Sequence, residues 1–193
     1  MEDLYVIPET YFSKEAAEHY DRSPRMRKIQ KELAERAIEL LCLKKGKVLD
    51  VGCGTGLSLS VLIERGFDAV GIDISQAMLD VAKRKKLNVR KADFTSIPFK
   101  DRTFDGLISI SALQWVYGKS YADVVGKYLK IAEEFYRVLK DKSRAVVQFY
   151  PKTDKELELV AKQFKKAGFI VTIAVDYPHI RKRTKKFIIL DKN

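Results

Sequence analysis

Cysteine and histidine are scarce in this chain, which has only two of each among 193 residues. A disulfide framework needs more cysteines, and a structural zinc site needs about four ligands. We therefore expect neither, and we predict no bound metal. Cys53 is interpreted as a small residue that fills a turn rather than as a nucleophile, and His19 and His179 as ordinary surface or hydrogen-bonded histidines.

Long apolar runs are absent too, since none approaches the roughly 18 residues that a membrane-spanning helix requires. The first residues, Met1 to Leu4, lack the basic and then apolar layout of a secretory signal. We therefore predict a cytoplasmic protein with no membrane partner. Length and composition favour one globular domain over 1–193, with a helical cap over 1–45 and a sheet with helices over 46–193.

Acidic residues are outnumbered, with 26 Asp and Glu against 37 Lys and Arg, which gives a formal charge of +11. The basic residues cluster at 22–28, 83–91 and 181–186. Such clusters favour an anionic partner, with nucleic acid as the first candidate. The alternative is the ion-paired surface of a heat-adapted or halotolerant protein, but evenly paired charge would be distributed differently.

The most informative segment is 47–56, where an apolar strand ends in a glycine-rich turn and a helix-forming segment follows. Glycines in such a turn can take positive φ and let a ligand approach the backbone, beside the unpaired N–H groups of the next helix. The three glycines that we expect to contact a nucleotide-like cofactor are Gly52, Gly54 and Gly56.

The spacing of these glycines argues against a dinucleotide. The G-x-G-x-x-G pattern requires glycine or alanine at the position of Leu57. Asp50 at the end of the strand would repel a pyrophosphate, but its carboxylate suits a cofactor that carries an ammonium group. S-adenosylmethionine is such a cofactor, and we predict that this chain binds it.

Two further strands end in an acidic residue. Asp73 lies about 20 residues beyond the first glycine, the spacing at which a carboxylate accepts hydrogen bonds from ribose hydroxyls. Asp93 follows the next strand, with Phe94 beside it, and suits an adenine amino group and ring. Each aspartate alone could simply cap the following helix, but three such ends together with the glycine turn favour a cofactor site.

Strands and helices alternate from residue 47 onward, which predicts a parallel sheet covered on both faces. The last two strands have no helix between them and should pair antiparallel. We therefore predict an α/β, doubly wound, seven-stranded and mostly parallel sheet with a terminal antiparallel strand. The predicted helices are 14–43, 56–65, 75–86, 121–140 and 153–167, and the predicted strands are 47–51, 68–73, 88–91, 103–110, 144–149, 169–175 and 184–191.

A doubly wound sheet binds its ligand at the carboxyl ends of the strands where the winding direction reverses, here strands 47–51 and 103–110. The segments 110–115 and 148–152 follow the fourth and fifth strands and should face the same crevice. Trp115, the only tryptophan, could instead pack on the next helix. Since rings in this position can stack on a planar base, the residues that we predict to bind substrate are Gln114, Trp115, Phe149 and Tyr150.

Several motifs resemble known proteins. Residues 50–56, Asp73, Asp93-Phe94 and 97–109 resemble the class I S-adenosylmethionine-dependent methyltransferases. Segments 8–12, 109–115 and 148–152 resemble, more narrowly, the guanine-N7 methyltransferases of eukaryotic small-subunit ribosomal RNA, which act in ribosome biogenesis. This likeness covers nearly the whole chain. The long basic carboxyl-terminal extension of that family has no counterpart here, so either the run 181–186 supplies its contacts or the RNA substrate differs.

The resemblance implies the class I fold and specific cofactor contacts. It places the methionine part at Asp50, Gly52 and Gly54, the ribose at Asp73 and Ile74, and the adenine at Asp93 and Phe94. It also implies that Tyr11, Tyr20 and Arg25 close over the cofactor and that Ser109 contacts it. Relatives in that family depend on a small zinc-binding activator protein, so the resemblance implies such a partner here.

The chemistry implied by the resemblance needs little acid–base help. Guanine N7 has a free lone pair at neutral pH, and holding donor and acceptor aligned at about 3 Å lowers most of the barrier. We accordingly predict no catalytic acid or base. Two alternatives remain: an enzyme of the same fold that methylates a small metabolite or quinone-like lipid precursor, and a ribosome assembly factor that the cofactor mainly stabilises.

Overall fold

The computed structural model describes residues 13–180 and 184–193. Tyr11 with its segment 8–12, and part of the basic run 181–186, lie outside the described residues. The helices are α1 Lys14–Arg22, α2 Pro24–Leu41, α3 Leu57–Glu64, α4 Gln76–Arg84, α5 Tyr121–Val138 and α6 Asp154–Lys166, with a 3₁₀ turn at Leu113–Trp115. The strands are β1 Lys47–Val51, β2 Asp68–Asp73, β3 Val89–Lys91, β4 Phe104–Ile110, β5 Leu139–Gln148, β6 Ile170–Asp176 and β7 Lys185–Asp191.

The strands form one sheet in the order β3-β2-β1-β4-β5-β7-β6. β1 lies between β2 and β4 and is parallel to both, whereas β7 runs antiparallel to both of its neighbours. The predicted α/β, doubly wound and mostly parallel sheet is therefore confirmed. The winding reverses between β1 and β4, as expected from the sequence.

Two apolar layers cover the sheet, so its central strands β1 and β4 are buried on both faces. On one face, Leu49 and Phe104 pack with Phe135 of α5. On the other face, Val48 packs with Leu33 of α2. Successive strand residues thus serve opposite layers. Within the described part of the chain, no helix is long and apolar enough to cross a membrane.

The helical pattern predicted as one segment over 14–43 forms two helices instead. Ser23 separates them: its backbone is extended and its N–H donates to the carbonyl of His19 at 3.0 Å, while its Oγ accepts from the N–H of Met26 at 3.3 Å. Pro24 follows at the first position of α2, and a residue before proline avoids helical backbone angles. The break lets α1 lie against α4, where Ala17 packs with Met78.

The junction between α5 and β5 also differs from the prediction, which placed helix up to residue 140 and strand from 144. Leu139 already belongs to β5 and pairs with Phe104, but the register shifts before Arg144 pairs with Gly106. Lys142, in the interrupted stretch, has a φ of +58°. Because polar residues in a bulge do not alternate with apolar ones, the sequence pattern does not mark this part of β5 as strand. It lies at the amino ends of the strands, away from the predicted crevice.

Candidate functional site

A cavity of about 270 Å³ opens at the carboxyl ends of the central strands. A smaller cavity of about 100 Å³ adjoins it and shares three of its lining residues, Ile74, Phe94 and Trp115. Because β1 and β4 are neighbours here, the cavity lies where the winding of the sheet reverses. The residues predicted from the sequence that line the larger cavity are Tyr20, Gly52, Gly54, Asp73, Ile74, Phe94, Gln114, Trp115 and Tyr150.

The turn after β1 depends on glycine at two positions. Gly52 has a φ of +75°, and a Cβ there would lie 2.3 Å from the Cβ of Ala112 in the loop after β4. Gly54 has a φ of +53°, and no described atom outside its immediate chain neighbours lies within 4 Å of the position that its Cβ would take. The first glycine therefore permits close packing of two loops, and the second leaves space beside the bare backbone for a ligand.

Asp50 lies behind the cavity wall and is fully buried. Its Oδ2 accepts a hydrogen bond from Ser58 Oγ at 2.6 Å, but its Oδ1 has no partner within the described part of the chain. Burial raises the pKa of Asp50 to about 7, and the nearby charge of Asp73 adds to the rise. A buried carboxylate with an unpaired oxygen fits the ammonium-bearing cofactor predicted from the sequence, since a nearby cation would stabilise its ionised form.

Asp73 ends β2 and holds two backbone groups. Its Oδ2 accepts from the N–H of Gly54 at 2.8 Å and its Oδ1 from the N–H of Ser75 at 2.8 Å. Burial nevertheless raises the pKa of this carboxyl above its usual value. Asp73 therefore both fixes the glycine turn and lines the cavity, so the capping role and the predicted contact with ribose are compatible.

Asp93 and Phe94 lie at the smaller cavity. The carboxylate of Asp93 is exposed, and its Oδ1 accepts from both the N–H and the Oγ1 of Thr95 at 2.8 Å. The ring of Phe94 lies between the two cavities and lines both. This placement suits the predicted adenine site, which stays a prediction.

Several predicted site residues do not line the larger cavity. Ser109 is fully buried, and its Oγ donates to the carbonyl of Val51 at 2.8 Å, which ties β4 to β1. Phe149 is 1% exposed and packs in the apolar layer of α5 and α6, because side chains alternate at the end of β5 and Tyr150 takes the outward position. Gly56 is buried under Leu87.

Arg25 lies on the first turn of α2, is exposed and lines neither cavity. Its neighbour Met26 lines the larger cavity instead, together with Tyr20 from the end of α1. The structure therefore does not place three predicted cofactor residues, Arg25, Ser109 and Gly56, in the wall of the larger cavity. Asp50, also behind the wall, would act through its charge.

A hydrogen-bonded network on the opposite wall was not predicted from the sequence. Gln30 Nε2 donates to Ser111 Oγ at 3.3 Å, and Ser111 Oγ donates to Gln148 Oε1 at 3.0 Å. Gln114 Nε2 donates to the Ser111 carbonyl at 2.7 Å. Ser111 has a φ of +54°. The sequence gives no sign of this positive φ, because the residue is not a glycine. The available signal was Gln30, a polar residue on the apolar face of a helix.

Comparisons with known proteins agree with this geometry. Residues 49–147 match the family model described as a methyltransferase domain. The chain is 43% identical over 191 residues to an 18S rRNA (guanine-N(7))-methyltransferase of Bos taurus, an alignment that covers 95% of this chain and 68% of that protein.

Solved structures share the fold at lower identity. One is a protein of Methanococcus maripaludis described as an S-adenosyl-L-methionine-dependent methyltransferase, with a TM-score of 0.73, 16% identity and 94% of each chain covered. Another comes from a complex between the Haloferax volcanii Trm112 methyltransferase activator and a methyltransferase, with a TM-score of 0.69, 18% identity and coverage of 93% of this chain and 97% of that one.

The predicted cofactor and enzyme class are confirmed by these relationships, since the matched family and fold are those of methyltransferases that use S-adenosylmethionine. The similarity to the bovine enzyme extends over nearly the whole chain and is not limited to the glycine turn. This chain is an S-adenosylmethionine-dependent methyltransferase, and it belongs to the family of the 18S rRNA (guanine-N(7))-methyltransferases.

Proposed function

We propose that this protein methylates N7 of a guanine in small-subunit ribosomal RNA and acts in ribosome biogenesis. The observation that carries the proposal is a single cavity with two unlike walls. Glycine backbone and Asp73 form one wall, and Gln114, Trp115 and Tyr150 form the other. The first wall suits a cofactor, and the second suits a planar base that offers hydrogen bonds.

S-adenosylmethionine, when bound, supplies a methyl group on a positively charged sulfur. We propose that the backbone at Gly52 and Gly54 and the buried charge of Asp50 hold its methionine part. Asp73 and Ile74 would hold the ribose, and Asp93 and Phe94 the adenine. The orphaned Oδ1 of Asp50 and the open space at Gly54 support this assignment. Tyr20 lies where it can cover the cavity from the end of α1.

Tyr20 and Cys53, two of the ionisable side chains that line the cavity, do not supply a general base. Burial raises the pKa of Tyr20 to about 12 and raises the pKa of the Cys53 thiol well above its usual value. Both groups therefore stay protonated at neutral pH and are poor general bases. Guanine N7 carries its own lone pair, so positioning is the main task left to this wall.

The mouth of the cavity supports an RNA substrate. Tyr150 is 42% exposed and lines the cavity, and Lys185 Nζ lies 5.0 Å from the centroid of its ring and donates to its hydroxyl at 3.1 Å. An aromatic ring beside a lysine suits a base next to a phosphate. Lys185 belongs to the basic run 181–186, of which only 184–186 is described.

The decisive experiment is methylation of a ribosomal RNA fragment in which single guanines are replaced by 7-deazaguanine. We expect labelled methyl transfer from the cofactor to one guanine and complete loss of transfer when that guanine lacks N7. An Asp50→Ala variant serves as the control that binds cofactor poorly. Transfer that persists on the 7-deazaguanine fragment would show that another atom is methylated.

The two alternatives give different results. A small-molecule methyltransferase would bind the fragment without the steep salt dependence that phosphate contacts produce. If the protein is an assembly factor, its Asp50→Ala variant should still support ribosome maturation in cells. We expect the opposite in both experiments, namely salt-sensitive RNA binding and a ribosome maturation defect in the variant.

We also propose that a small activator protein of the Trm112 kind binds this chain. The support is the structural neighbour from Haloferax volcanii, whose complex contains that activator. Purification of the chain with and without a co-expressed Trm112 homologue tests this, since we expect co-elution and higher methyl transfer in the complex. Two further points stay predictions. Metal analysis can test whether that activator carries zinc, and cell fractionation can test whether the protein works in the cytoplasm.

A further inference from the structure

Two buried amide atoms in the Ser111 network are unpaired. Gln114 Oε1 and Gln148 Nε2 are inaccessible to solvent and have no hydrogen-bond partner in the described residues. Gln148 is fully buried, and Gln114 lines the larger cavity. An unpaired buried polar atom is costly, so one at the wall of a ligand cavity suggests that a ligand supplies the partner.

The orientation of the Gln114 amide is fixed. Its Nε2 donates to the Ser111 carbonyl at 2.7 Å, so a flipped amide would place two oxygens against each other. Ser111 is itself held in place, because its N–H donates to the Gln148 carbonyl at 2.8 Å and its hydroxyl bonds to the side chains of Gln148 and Gln30. The network therefore fixes Gln114 Oε1 as an acceptor just beneath the surface of the cavity, where a base would reach it after a small opening of the wall.

We propose that Gln114 Oε1 selects guanine by accepting a hydrogen bond from its N1–H or 2-amino group, with Ser111 and Gln148 as positioning residues. This inference rests on the proposed function. Guanine carries hydrogen donors on both N1 and C2, whereas adenine has a bare N1 and no 2-amino group. With adenine this acceptor stays unpaired, and a site built to bond a polar group discriminates strongly against an analogue that lacks it.

The test is a cycle between protein variants and bases. The intact protein, with its activator if one is required, methylates RNA fragments whose target is guanine, inosine or 2-aminopurine. Inosine lacks the 2-amino group, and 2-aminopurine lacks the N1–H. Gln114→Met removes the acceptor. Gln163→Met is the matched control, because Gln163 on α6 also donates its Nε2 to a backbone carbonyl, and its buried Oε1 also has no partner among the described residues.

We expect Gln114→Met to lower kcat/KM for guanine by about 10- to 100-fold, while the affinity for S-adenosylhomocysteine stays unchanged in calorimetry. For at least one of the two analogues, the wild type should have a low kcat/KM. Gln114→Met should not lower that value further. Gln163→Met should behave as wild type on all three bases.

Two results would overturn the inference in distinguishable ways. If the wild type methylates guanine but Gln114→Met keeps the same preference over both analogues, Gln114 is structural and the proposed function stands. If the wild type binds S-adenosylhomocysteine but methylates no guanine in ribosomal RNA, the proposed function and this inference fail together.

Discussion

The two walls of the cavity achieve their order by different means. The wall that we propose for the cofactor (the cofactor wall, residues 52–58 and 73–75) relies on backbone groups, as where the N–H of Gly54 donates to Asp73. The wall that we propose for the substrate (the substrate wall, residues 111–115 with Gln30, Gln148 and Tyr150) is held largely by hydrogen bonds between side chains. A position that requires an unusual backbone conformation accepts only a few residue types, whereas the side chains of a hydrogen-bonded network can be replaced by other polar residues. The first design suits an unvarying ligand and the second a specific substrate.

The walls meet where Gly52 touches Ala112, and the largest predicted effect lies there. A Cβ at Gly52 would lie 2.3 Å from that of Ala112, and the φ of +75° is unfavourable for alanine. We expect Gly52→Ala to reduce the free energy of unfolding by about 2–4 kcal/mol, from backbone strain and overpacking together. Urea denaturation measures this loss.

Ala112→Gly provides the matched test of the cause. It removes the atom that a new side chain at position 52 would meet, so the double variant should be more stable than the sum of the single changes by at least about 1 kcal/mol. Simple additivity would mean that backbone strain alone accounts for the loss, and that the two walls are not coupled at this contact.

Asp50→Asn should separate the electrostatics of the cofactor wall from its shape. Burial raises the pKa of Asp50 to about 7 from an ordinary 3.8, so the folded protein favours the neutral acid. The Asp50 carboxyl therefore contributes to the free energy of unfolding fully below pH 3.8, and this contribution is lost as the pH rises through about 7. Affinity for the ammonium-bearing cofactor should instead rise through that range, because the carboxylate form attracts it.

The asparagine variant should therefore unfold at higher denaturant than wild type at pH 8, yet bind the cofactor about tenfold or more weakly and with a flatter pH profile. Calorimetry from pH 5 to 8 measures the affinity. Asp68→Asn is the control, since Asp68 is exposed at the amino end of β2 and lines neither cavity. Equal pH profiles for wild type and Asp50→Asn would remove Asp50 from cofactor binding.

Gln30→Met tests whether the substrate wall depends on α2. The change removes the 3.3 Å bond from Gln30 Nε2 to Ser111 Oγ, and one neutral hydrogen bond contributes about 1 kcal/mol. We expect a few-fold lower kcat/KM for RNA with unchanged cofactor affinity. Lys31→Met, an exposed neighbour, is the control. A change in cofactor affinity alone would show that α2 serves the cofactor wall.

The difference between the walls also explains what the sequence could predict. Gly52, Gly54 and Asp73 could be placed at the cavity from the sequence because positive φ and a strand-end carboxylate leave a signature in residue type and spacing. The mostly parallel sheet and its antiparallel last pair followed equally well from the order of strand and helix segments. The cofactor wall was therefore largely predictable before its geometry was known.

The substrate wall was less predictable because its residues are common types whose partners are distant in sequence. Gln30 and Ser111 are 81 positions apart, and the positive φ of Ser111 has no glycine to mark it. Phe149 was expected beside Tyr150, but side chains alternate along an extended chain, so two adjacent aromatics could not both face the cavity. Which of the two faced the core depended on the layer of α5 and α6.

The smallest predicted effect concerns Lys185 at the rim of the substrate wall, 3.1 Å from the Tyr150 hydroxyl. If this lysine neutralises one RNA phosphate, Lys185→Gln should reduce the slope of log affinity against log salt by about 0.7 to 0.9. Filter binding at several salt concentrations measures the slope. Lys45→Gln is the matched control, because Lys45 is exposed just before β1, at the opposite edge of the sheet. Equal slopes for the two variants would place the RNA backbone elsewhere and leave Lys185 as a support for the Tyr150 ring.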